Sequence, residues 1–205
     1  MLAGYRNLLQ INRQLRSGHW PRTEYFGRSF MIKGKTVGVL GLGHIGKKVA
    51  ALASAFGANV IYYDIVRQPE QEEQFGYRFV DFDTLLAESD VISLNCPLTE
   101  QTRGLISADA LAKMKKTAYL INTSRGGVIV EDDLRRALDA GVIAGAAVDV
   151  LSSEPPAEDN PLLHAKNIVV TPHIAWATTE ARTRLLTIVT DNLSAYLRGE
   201  RLNRV

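Results

Sequence analysis

The stretch TVGVLGLGHIGKKVA, residues 36–50, decides the fold of this 205-residue chain. TVGVL (36–40) is short and almost wholly apolar, the mark of a strand buried on both faces. Glycines follow at 41, 43 and 46, in the spacing Gly-x-Gly-x-x-Gly. A helical pattern then runs over 44–57, with Ile45, Val49, Leu52, Ala53 and Phe56 on one face. In such a strand–turn–helix unit each glycine has its own task. Gly41 permits the tight turn, Gly43 lets the backbone approach a pyrophosphate, and Gly46 lets helix and strand pack closely. The backbone N–H groups around His44 and Ile45 then face the phosphates at the positive end of the helix. His44 is a backbone-contact position in this reading.

The next strand, NVIYYD (59–64), ends on Asp64, 18 residues beyond Gly46. A carboxylate there accepts hydrogen bonds from the adenosine ribose hydroxyls and repels a 2′-phosphate, which favours NAD over NADP. Arg67, three residues on, is the nearby cation that argues the other way.

Working outward, strands are expected at 91–95, 118–122, 143–150 and 167–171, and helices near 82–88, 107–114 and 131–140. Fully apolar strands alternating with helices mean a parallel sheet covered on both faces: an α/β, Rossmann-type, doubly wound fold. Residues 2–17 carry Leu2, Tyr5, Leu8, Leu9 and Leu15 at helical spacing and predict one helix. The connector 18–34 holds Trp20, Tyr25, Phe26 and Phe30. A last helix over 178–198 sets Ala181, Leu185, Ile188, Val189, Leu193 and Tyr196 on one face, with Thr178 or Thr179 to cap it and Gly199 to end it. The expected division is 1–34 as a crossing helix and dimerisation arm, 35–176 as the dinucleotide-binding domain, and 177–205 as a C-terminal helix.

Composition narrows the function. A net charge of +2, with scattered Lys and Arg, gives no pull toward nucleic acid or membrane. No run of about 18 apolar residues exists to span a bilayer. The single cysteine, Cys96, excludes an internal disulfide and suits a cytoplasmic setting. No metal site is expected.

Three segments place chemistry at strand ends. LINTSRGGVIVEDDL puts Arg125 just past a strand, and its planar fork suits a carboxylate. GAAVDVLSSEPP puts Asp149 and Glu154 after the next, and TPHIAW puts His173 after the last. Strand ends on the glycine-loop edge are where open α/β sheets bind ligands. An arginine, a carboxylate and a histidine there make a hydride-transfer site.

GLGHIG, NCPLTEQTRGLI, INTSRGGVIVEDDLRRAL, GAAVDVLSSEPP and TPHIAW together resemble the D-isomer-specific 2-hydroxyacid dehydrogenases, and the later part is most similar to glycerate dehydrogenase (hydroxypyruvate reductase) members. The resemblance implies an enzyme that moves a hydride between NAD(H) and a small 2-hydroxy or 2-keto acid, with D-glycerate and hydroxypyruvate as the leading pair. It implies that Arg125 binds the substrate carboxylate and carbonyl oxygen and that His173 is the acid–base group, touching both substrate and cofactor. Glu154 would orient the His173 ring and favour its protonated form. Asp149 would contact the nicotinamide carboxamide, Cys96, Pro97, Thr102 and Thr123 would line the cofactor, and Trp176 would shape the substrate pocket. A homodimer through the cofactor domain is also implied, with the aromatic arm on the partner. Asn95 departs from the family, standing where many members have histidine. The larger departure is at the front, where members carry most of a second, substrate-binding lobe. The expectation is therefore a cofactor domain with its crossing helices, able to bind NAD but with weak or absent turnover. The competing reading is an NAD-sensing, corepressor-like interaction protein without metabolic turnover.

Overall fold

The computed structural model describes residues 1–27 and 29–203. The chain divides into two compact units, 1–171 and 172–205.

Among the described residues, the first unit is built on seven parallel strands. They are β1 (Thr36–Leu40), β2 (Asn59–Tyr63), β3 (Arg78–Phe79), β4 (Val91–Leu94), β5 (Tyr119–Asn122), β6 (Gly145–Val148) and β7 (Ile168–Val170), in the spatial order β3-β2-β1-β4-β5-β6-β7. The helices are α1 (Leu2–Tyr5), α2 (Leu8–Arg16), α3 (His44–Ala55), α4 (Pro69–Phe75), α5 (Phe82–Glu88), α6 (Ala108–Lys113) and α7 (Glu131–Asp139). Side chains alternate across each strand, and the alternation sorts the core into two layers. Leu40, Ile61, Ile92, Leu94 and Leu120 join Leu85, Leu86, Leu111, Leu134 and Leu138 of α5, α6 and α7. Val37, Val39, Val60, Tyr62 and Ile121 join Ala50 and Ala53 of α3, and Tyr5. The doubly wound parallel sheet expected from the sequence is the fold observed.

Three local expectations need correction. The helix expected over 2–17 is two helices, because Asn7 adopts a left-handed backbone (φ 51°) between α1 and α2, a conformation that asparagine tolerates better than most residues. Of its apolar positions only Tyr5 is buried; Leu2, Leu8, Leu9 and Leu15 are exposed. Second, α3 buries its small residues, Gly46, Ala50 and Ala53. A Cβ on Gly46 would lie 2.0 Å from the Gly41 carbonyl oxygen, so nothing larger fits between α3 and β1. Ile45, Leu52 and Phe56 therefore point outward. Third, α4 and β3 add to the expected elements. The two-residue β3 is too short to show a period, although Pro69 at the start of α4 and Gly76 at its end are ordinary helix boundaries.

In the aromatic connector, Phe30 packs edge-on against Tyr5 and the Tyr25 hydroxyl donates to Gln14. Trp20 and Phe26 remain exposed.

The second unit holds the turn 172–177 and α8 (Thr179–Leu197), capped by the Thr178 hydroxyl accepting from the Ala181 N–H. Gly199 follows with φ 74°. The apolar positions Leu185, Ile188, Val189, Leu193 and Tyr196 are all exposed. Among the described residues no helix is long and apolar enough to cross a membrane.

Candidate active site

Because all strands run parallel, the segments after β1, β2, β4, β5, β6 and β7 emerge on one edge of the sheet. Strand order reverses between β1 and β4, which opens the ligand crevice there. Its walls are Gly41–Gly46 after β1 and Asn95–Pro97 after β4.

The three glycines stand in different surroundings. Gly41 has φ 89°, and a Cβ on it would lie 2.9 Å from the Cys96 backbone nitrogen; the turn after β1 thus presses directly on the chain after β4. Gly46 seats α3. Above Gly43 there is open space, so another molecule can reach its backbone. No side chain caps the N-terminus of the 12-residue α3, and His44 and Ile45 are exposed. A pyrophosphate fits this cradle in charge and in space. Asp64 completes it: its carboxylate accepts from the Leu42 N–H at 2.7 Å and the Val66 N–H at 3.4 Å. Two backbone donors orient the group, and its remaining lone pairs suit ribose hydroxyls. NAD fits these residues.

Arg67 does not stand free to meet a 2′-phosphate. Its Nε and Nη2 donate to the two carboxylate oxygens of Glu72 at 2.9 and 2.8 Å.

After β4, Cys96 is buried. Burial pushes its thiol above the usual range, with the Asp64 charge a smaller contribution in the same direction. Pro97 is exposed. The Thr102 hydroxyl donates to the Pro97 carbonyl at 2.7 Å and accepts from the Thr99 N–H at 2.7 Å. Thr102 therefore closes the turn that carries Pro97.

After β5, Thr123 and Arg125 are exposed. The buried Asn122 shapes this loop. Its side-chain oxygen accepts from the Ser124 N–H and hydroxyl, and its amide donates to the Arg125 carbonyl. The Arg125 Nη1 donates to the Ser124 carbonyl at 2.7 Å. After β6, Asp149 is 5% exposed and accepts a short hydrogen bond from the Thr171 hydroxyl at the end of β7. Glu154 accepts from the Leu151 N–H at 3.0 Å. Glu131, at the start of α7, accepts from the Ser152 N–H at 2.6 Å and the Asn160 amide at 2.8 Å, and so fastens the Glu154 loop to the rest of the unit.

In the second unit, His173 sits in a tight turn with a left-handed backbone (φ 53°), a region where histidine is enriched among non-glycine residues. The Trp176 indole N–H donates to the His173 carbonyl at 3.0 Å, and the Ala177 N–H to the Ile174 carbonyl. Both rings are exposed. Among the described residues no cluster of His, Cys, Asp and Glu forms a metal site.

Asn122, Gly126, Glu131 and Asn160 escaped the sequence reading. Asn122-x-Ser124 is a legible turn signal; the reach of Glu131 to Ser152 and Asn160 has no local signature.

Comparison with known proteins agrees with this geometry. Residues 1–175 match the family model described as D-isomer specific 2-hydroxyacid dehydrogenase, NAD binding domain. A glyoxylate reductase of Thermofilum pendens is 45% identical over 203 residues, covering 98% of this chain and 60% of that protein. A hydroxypyruvate reductase of Blautia hydrogenotrophica is 45% identical over 174 residues, covering 85% of this chain and 54% of that one. Among solved structures, a D-lactate dehydrogenase with NAD+ from Lactobacillus jensenii superposes with a TM-score of 0.89 at 33% identity, covering 99% of this chain and 64% of that chain. The chain thus spans about three fifths of the length of the relatives it matches. None of these similarities favours a corepressor-like protein. Glycine cradle, Asp64, doubly wound sheet and family match converge: the chain belongs to the D-isomer-specific 2-hydroxyacid dehydrogenases and is their NAD-binding domain.

Proposed function

We propose that this domain serves an NAD-dependent oxidoreductase acting on a small 2-keto acid and its D-2-hydroxy acid, with hydroxypyruvate and D-glycerate as the leading pair. The observation that carries the reading is that Arg125, Asp149 and Glu154 follow the ends of parallel strands on the sheet edge that bears the glycine cradle. The names of the glyoxylate and hydroxypyruvate reductase relatives support the substrate class.

NAD(H), when bound, supplies or accepts the hydride. Gly41, Gly43, His44, Ile45 and Gly46 hold its phosphates and Asp64 its ribose. Cys96, Pro97 and Thr123 line it, Thr102 holds the turn that carries Pro97, and Asp149 meets the carboxamide. Arg125 pairs with the substrate carboxylate and stabilises the charge that grows on the carbonyl oxygen. His173 delivers a proton to that oxygen from an imidazole nitrogen and removes it in the reverse direction. Glu154 orients His173, and Trp176 bounds the substrate.

We also propose the division into an arm (1–34), a cofactor domain (35–176) and a helix (177–205) that packs on a substrate lobe; the exposed apolar face of α8 supports the last. A homodimer is supported by the outward Leu52 of α3, Phe56 just after that helix and the exposed Trp20 and Phe26. A reducing, cytoplasmic setting is supported by the lone buried thiol.

The test is NADH oxidation with hydroxypyruvate and with glyoxylate. These 205 residues assayed by themselves, about three fifths of the length of their relatives, are expected to bind NADH but to turn over slowly or not at all, since a cleft open to water supports the reaction poorly. Fusion to a relative's substrate lobe should restore turnover, and Arg125→Ala and His173→Ala in the fusion should abolish it. Turnover by the chain alone of roughly tens per second would refute the slow-domain reading. Full activity of the His173→Ala fusion would refute the assignment of the proton. Light scattering that shows monomers at micromolar concentration would remove the dimer.

A further inference from the structure

We propose that Glu72 is a specificity-determining residue: by clamping Arg67 it withholds the one cation of the Asp64–Gln68 loop from a 2′-phosphate, and so keeps the domain selective for NAD. The proposal rests on the reading that the adenosine ribose is held at Asp64.

The sequence alone leaves dinucleotide choice divided. Asp64 disfavours a 2′-phosphate, whereas Arg67, only three residues later, is of the right charge and length to bind one. The structure shows what becomes of that arginine. Its fork meets both carboxylate oxygens of Glu72, at 2.9 and 2.8 Å, the paired geometry that fixes a guanidinium most firmly. Its guanidinium carbon lies over the Phe79 ring, 5.8 Å from the centroid.

An isolated surface ion pair would be a weak clamp. This one is not isolated, because Glu72 is held from the inside. The hydroxyl of Tyr62, a fully buried residue of β2, donates at 2.8 Å to Glu72 Oε1, the oxygen that also accepts from Arg67 Nε. The Gln68 N–H donates to that hydroxyl at 2.8 Å, and the Gln68 side chain donates to the Leu42 carbonyl of the glycine turn at 2.9 Å. Leu42 in turn donates to Asp64. A continuous set of hydrogen bonds thus runs from the phosphate cradle through Gln68 and Tyr62 to Glu72 and Arg67. The side chain of Glu72 is 18% exposed, against 61% for Arg67, so the carboxylate is the anchored partner and the arginine the captive one. Hydrogen bonds from Arg67 hold the Glu72 carboxyl below the usual range, so the clamp stays charged at neutral pH. A purely structural role, stapling α4 to the loop after β2, would affect stability and leave dinucleotide choice alone. The two roles separate by measurement.

The experiment is calorimetric titration of NAD+ and NADP+ into the wild-type chain, Glu72→Gln, and Glu72→Gln combined with Arg67→Ala. Release of Arg67 in Glu72→Gln should tighten NADP+ by about tenfold and leave NAD+ within about twofold. The double variant should return NADP+ affinity to the wild-type level. Should thermal melts show Glu72→Gln to be poorly folded, Glu72→Ala serves as a second release variant. An unchanged NADP+ affinity alongside intact NAD+ binding overturns the proposal, as does a gain that survives loss of Arg67. Failure of the wild-type chain to bind NAD+ at all is a separate result that removes the underlying cofactor reading along with it.

Discussion

Gly126 lies against the backbone of Leu151 so closely that a Cβ on it would stand 1.9 Å from the Leu151 carbonyl carbon and 2.4 Å from the Ser152 nitrogen. The loop after β5 carries Arg125 and the loop after β6 carries Glu154. Their contact point is a glycine because only a missing side chain lets two backbones come so near.

The first prediction concerns that contact. Gly126→Ala must push backbone, not a flexible side-chain tip, out of the way. It should cost more than about 3 kcal/mol of stability. Urea unfolding measures it, and a midpoint unchanged from wild type would show that the loops can part without penalty.

The glycine of the cradle should behave in the opposite way. Gly43 has nothing near its missing Cβ and a backbone, φ −72° and ψ −164°, open to any residue. Gly43→Ala should therefore change stability by less than about 1 kcal/mol, mostly as an altered helix cap. The added methyl group would stand where the pyrophosphate needs to approach, so NAD+ affinity should fall by roughly tenfold or more. Titration calorimetry on a variant of normal melting temperature is the check; undiminished affinity would place the phosphates elsewhere.

Alkaline pH should destabilise the first unit through Tyr119. This side chain is 7% exposed and donates to the Ala146 carbonyl at 2.9 Å; burial raises its pKa from 10.0 to about 12. A phenol harder to ionise when folded stabilises the fold fully below the unfolded value, and that stabilisation drains away as pH climbs from 10 toward 12. The loss over that window is on the order of 2–3 kcal/mol. Tyr5, raised by burial and by the Asp90 charge, acts in the same direction. Denaturant melts between about pH 9 and 12 should show the decline, and Tyr119→Phe should flatten part of it. A decline of the same depth in Tyr119→Phe would assign the effect to other groups.

By itself the sequence determined six of the seven strands, the glycine turn and the order of the chemical residues. Those are local or periodic properties. Apolar runs of four or five residues, glycines at fixed spacing and strand-end positions for Arg125, Asp149 and Glu154 follow from short stretches. Parallel strands then carry every strand end to one edge. Only the tertiary structure decided which apolar residues face inward on α3, because that depends on how near α3 comes to β1 at Gly46. It alone decided that Arg67 belongs to Glu72, and that Glu131 holds Ser152 and Asn160 from 21 and 29 residues away. Hydrogen bonds between distant segments leave no period in the chain. They exist only once the sheet has set those segments side by side, and it is they that turn a legible list of residues into oriented groups.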